Sequence, residues 1–82
     1  MMMQVYEYNV HAKGKEIAGF DDLIRAECYA RMVAHEEHCD VDIINAFTGE
    51  VHWHAQSYVR ITYNADMEEI ETRYIVKEGW AD

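Results

Sequence analysis

Proline is absent from this chain of 82 residues, which also has no repeat, no linker-like stretch and no apolar run longer than three residues. With nothing to divide it, the sequence predicts a single domain over residues 1–82. A second domain would have too little interior of its own, since a chain this short hides only about 60–65% of its unfolded surface. The lack of a long apolar run predicts neither a membrane span nor the apolar segment of a secretory signal, so a cytoplasmic protein is expected. Met1–Met3 read as start-site redundancy or a frayed end.

Nucleophiles are as sparse. Ser57 is the only serine, and it stands between Gln56 and Tyr58 without the G-x-S-x-G elbow of a hydrolase. Glycines in "HAKGKEIAG" do not spell a phosphate loop. Two cysteines, Cys28 and Cys39, have neighbours as often acidic as basic, which does not favour a reactive thiolate. If one helix joins them they lie roughly 16 Å apart along its axis at 1.5 Å per residue. A disulfide needs Cα atoms within about 7 Å, so reduced thiols are expected. The domain has little room for a pocket of about 300 Å³ or more. No catalytic residue and no cofactor is assigned, and the chain is expected not to be an enzyme.

Bases are few as well. Sixteen Asp and Glu stand against seven Lys and Arg, for a net charge of −9. Such a surface is repelled by nucleic acid and by anionic membranes, and suits a basic partner. A merely solvated acidic face is the alternative.

What the chain does have is order. Half its residues are apolar or aromatic, with six Tyr and two Trp, so it is not compositionally disordered. "QVYEYNV" reads as a first strand. Gly14 and Gly19 punctuate the next segment, around a short strand near Ile17. "DDLIRAECYARMVAHEEH" reads as a helix capped by Asp21 or Asp22. Leu23, Ala26, Ala30, Val33 and Ala34 gather on one face of it, with Tyr29 on the flank. A stripe of Ile24, Cys28, Met32 and His35 runs on the back and is a possible hydrophobic interface, for a second copy or a partner.

"VDIINAFTGEVHWHAQ" reads as a hairpin turning at Gly49. "SYVRITYN" and "EEIETRYIVKEGW" alternate as strands, although Met67, Ile70 and Tyr74 would also fit a helix. The fold class is α+β: a small antiparallel sheet of four to five strands with one helix packed on one face.

The histidines of "HEEHCD" and "VHWHA" raise the question of a metal. His52 and His54 share one face of a strand, with Trp53 turned to the core face beside Val51 and Ala55. His35 and Cys39, four apart on the helix, lie near its back stripe. The two pairs would then look away from each other. The spacing also fits neither compact zinc patterns nor HExxH. No metal is assigned.

Acid remains. Glu36, Glu37, Asp40 and Asp42 sit at the helix exit, and Asp66, Glu68, Glu69 and Glu71 crowd the last hairpin, with no Lys or Arg inside either cluster. Spaced carboxylates can imitate a phosphate backbone and attract the bases that hold DNA or RNA.

The helix "GFDDLIRAECYARMVA", the hairpin "AFTGEVHW" and the acidic strands after them give a layout that resembles small acidic phage and mobile-element proteins of the anti-CRISPR type. The resemblance implies a non-enzymatic inhibitor that occupies the nucleic-acid-binding surface of a bacterial nuclease complex. Its partner would be a basic nucleic-acid-binding protein, with no direct contact to nucleic acid or membrane. The alternative is a small metal- or ligand-binding regulatory protein, a homodimer through the helix back stripe.

Overall fold

The computed structural model describes residues 5–81; Met1–Met3 and the start of the expected first strand lie outside that range. Five strands and one helix run in the order β1 (Tyr8–Ala12), β2 (Lys15–Phe20), α1 (Leu23–Glu37), β3 (Val41–Asn45), β4 (Val51–Tyr63) and β5 (Glu69–Trp80). The strands form one sheet, ordered β2-β1-β3-β4-β5, with every neighbouring pair antiparallel. The fold is α+β, as the sequence predicts.

Each junction has a local cause. Lys13 and Gly14 both take positive φ and make the two-residue turn of the first hairpin, the geometry that matches strand twist. Gly19 does not break the chain. It lies inside β2, where the Tyr6 ring packs so closely that a Cβ would come within 2.7 Å of it. Asp22 caps α1 by accepting the Ile24 N–H at 2.8 Å, and His38, left-handed at φ 51, ends it. Asn45 organises the β3–β4 turn by accepting from Phe47 and Thr48, and Gly49 supplies the positive φ.

The helix carries the chain from edge strand β2 back to β3 and lies across one sheet face. Ala26, Ala30, Val33 and Ala34 are its buried residues, and they meet Val10, Ala12, Val41, Ile43, Trp53 and Ala55. Five of these ten are alanines, so the layers approach closely and Trp53, 1% exposed, is the largest fully buried side chain. Among the described residues no helix covers the other sheet face.

Two expectations need correction around β4. The β3–β4 register slips, pairing Ile43 with Trp53 but Ile44 with Val51, which leaves His52 as the extra residue of a bulge. Strict alternation therefore fails there. Val51 is 41% exposed rather than in the core, and His52 packs edge-on against Tyr8, which shares a row with Val10 and Ala12. The second correction concerns length. β4 runs unbroken from Val51 to Tyr63, yet β3 accompanies it only as far as Ala55. From Gln56 onward β4 pairs with β5 alone, and the two project as a ribbon that makes the molecule 60 Å long against a width of 30 Å. β5 is a strand throughout, so the helical reading of residues 66–78 falls.

Candidate functional site on a protruding arm

The ribbon ends in a turn built by one side chain. Asn64 accepts the Asp66 and Glu68 N–H groups on Oδ1, both at 2.9 Å, and its backbone closes the turn to Glu68 and Met67. Asn64 carries no charge or apolar surface to announce this role in the sequence. Ile70 is the extra residue where the β4–β5 register slips between Thr62 and Tyr63. Asp66, Glu68, Glu69 and Glu71 all stand exposed at this tip.

Their isolation from bases is only partial. Arg73 forms an ion pair with Glu71, and the Thr72 hydroxyl donates to Glu69. Arg60 lies directly opposite Arg73 across the strands, a like-charge pair that costs stability on its own and leaves Glu71 to balance it. The arm is thus acidic at its tip and basic at mid-length.

The second acidic group does not hold together as a cluster. Glu36 and Glu37 are exposed, and Glu37 pairs with Lys13 at 3.3 Å. Asp40 instead accepts the Ser57 backbone N–H at 2.8 Å, capping β4 at the point where β3 leaves it. Asp42, inside β3, pairs with His54. Asp42 lies between His11 and His54 in register, and Glu16 opposes His11 on β2. The carboxylates of Asp40 and Asp42 thus serve the scaffold.

Cys39 departs from its expected place on the helix back. The chain reverses at His38, so Cys39 turns inward and packs against the core, where burial pushes its thiol above the ordinary range. His38 stacks on Tyr74 with ring centroids 3.9 Å apart, and His35 meets Glu78 at 3.4 Å. Arg31 also reaches Glu78, at 2.6 Å, and that contact raises its already high pKa further. Ile24, Cys28 and Met32 are exposed together on the helix back. Among the described residues no three His, Cys, Asp or Glu side chains converge as a metal-binding group. The expected lack of room for a pocket is corrected: an open hollow of about 410 Å³ lies beside His11, Lys13, Cys39, Asp40 and Asp42.

No helix among the described residues is long and apolar enough to cross a membrane. The chain matches no protein-family model, no curated protein and no solved structure.

Proposed function

We propose that this chain is a non-enzymatic, acidic interaction protein whose arm tip enters the nucleic-acid-binding surface of a basic bacterial partner, an inhibitor of the anti-CRISPR type. One observation carries the reading: Asp66, Glu68, Glu69 and Glu71 are exposed at the end of a ribbon that projects past the helix-covered core. A projecting tip can enter a basic groove that the body of the molecule could not. Its carboxylates would take the positions of phosphates there. Three of the four helix-exit carboxylates are engaged, Glu37 by Lys13, Asp40 by Ser57 and Asp42 by His54, against two at the tip, Glu69 by Thr72 and Glu71 by Arg73, so the tip is the better candidate of the two.

The test replaces Asp66, Glu68, Glu69 and Glu71 with lysine and compares capture from bacterial lysate at low salt. The expected result is a nucleic-acid-binding protein held by the parent chain, lost by the variant, and released by added DNA or RNA. Binding should weaken as salt rises, because screening at 0.1 M acts over about 10 Å. Capture that is indifferent to charge reversal, or a complex that holds nucleic acid and this chain together, overturns the proposal.

A further inference from the structure

The arm raises a question that its acidic tip does not answer. A lone two-stranded ribbon is marginally stable in water, and this one leaves Val59 (57% exposed), Ile61 (42%) and Tyr63 (50%) uncovered. We infer that the chain forms a homodimer in which the open edge of β4, over residues 59–63, pairs antiparallel with the same edge of a second copy.

The backbone supplies the first argument. Residues of a strand alternate in the direction of their N–H and C=O groups. Ser57 N–H points to the β3 side, where Asp40 takes it, whereas the His52 carbonyl and Asn64 N–H bond on the β5 side. Odd-numbered residues therefore aim at the β3 side. Beyond Ala55 no β3 residue remains to meet them, so Val59, Ile61 and Tyr63 offer an unpaired ladder.

Charge supplies the second. Proteins protect free edges with charged residues, bulges or proline. The outer strand β5 conforms to that practice, with Glu69, Glu71, Arg73, Lys77 and Glu78 along it. The β4 edge carries one charge, Arg60, in five residues. In a chain of net −9, that segment can be approached by an identical segment without setting acid against acid.

The same charges set the orientation. A parallel arrangement would lay one acidic tip on the other. An antiparallel arrangement centred on Ile61 sets Arg60 opposite Thr62 of the second copy. Thr62 in turn lies beside Glu71, so each Arg60 reaches toward the other copy's Glu71. Two strands become four, in the order β5-β4-β4-β5. This inference does not rest on the proposed function, and a dimer whose tip binds nothing leaves it standing.

Sedimentation of the full chain from micromolar to millimolar concentration tests it, with twice the 9.7 kDa chain mass expected. Ile61→Pro removes an N–H aimed at the open edge and no bond to β5, so it should give folded monomer. Val59→Lys, which adds a protective edge charge, should do the same by a different route. Thr72→Pro, on the outer edge of β5, should leave the dimer intact. Parent chain that stays monomeric throughout overturns the inference, and so does a dimer that survives both β4 variants as folded protein.

Discussion

Trp53 shows how much one residue can carry in a small core. It is fully buried among alanines, valines and Ile43, and no neighbour has the volume to fill the space it would leave. Trp53→Ala should remove about 3–5 kcal/mol, a large share of a stability on the order of 0.05–0.15 kcal/mol per residue. Urea unfolding measures it, and a midpoint close to the parent's would place Trp53 outside the core. The two thiols give a second contrast. Burial holds Cys39 in its protonated form, whereas Cys28 is exposed on the helix back. Iodoacetamide at mildly alkaline pH should therefore modify Cys28 first in the folded protein, and equal rates would contradict the placement of Cys39. The sign of the linkage is fixed by the same burial. A thiol whose pKa is raised by folding favours the fold below its ordinary pKa, and that contribution is lost as pH rises through the folded value. Cys39→Ala should accordingly flatten the alkaline fall in stability.

At the scale of elements, local signals and long-range pairing divide what can be read from a sequence. The helix was legible because its apolar period, its Asp22 cap and its alanine face all lie within fifteen neighbouring residues. Asp22→Ala should cost about 1 kcal/mol in thermal or urea unfolding, since one orphan N–H loses its acceptor. The β3–β4 turn was legible for a similar reason. Gly49 sits at φ +76 with nothing near enough to obstruct a Cβ, so Gly49→Ala should cost about 1–2 kcal/mol through the backbone alone. A neutral result in the same measurement would mean that the turn can reshape. The bulge at His52 was not legible, because it depends on which residue of β3 each residue of β4 meets. Nor was the arm. Val59, Ile61 and Tyr63 alternate as they would on a buried face, and alternation says nothing about whether a layer lies over them. The four tip carboxylates stand exposed, and the apolar residues that accompany them through the turn are Ala65, Met67 and Ile70. The contacts of Asp40 and Asp42 were not legible, because their partners, Ser57 and His54, come from another strand.

For the whole molecule, the division between body and arm is the consequence that matters most. Every fully buried apolar side chain lies between Val10 and Ala55, and the partly buried residues packed on that core include only Tyr8 and Val76 from outside that span. Residues 58–73 add none. Among the described residues, the only ring stack they approach is that of His38 on Tyr74, at the base of the arm. The body should therefore fold without the ribbon. Replacing residues 59–73 with a short glycine-containing turn ought to leave the far-UV spectrum and the melting midpoint near those of the parent chain in dilute solution. Hydrogen exchange on the intact chain offers an independent reading, because local opening tracks burial and pairing. Amides of Ile43, Trp53 and Ala55 should exchange only by global unfolding, and those of Val59 and Ile61, which no β3 residue meets, should exchange freely when the chain is dilute. If the excised variant is unfolded, the arm is part of the folding unit and not an appendage. If it folds and still captures the same partner, binding lies on the body, and the helix stripe of Ile24, Cys28 and Met32 becomes the surface to mutate. A variant that folds and has lost its partner would assign folding to the body and recognition to the arm.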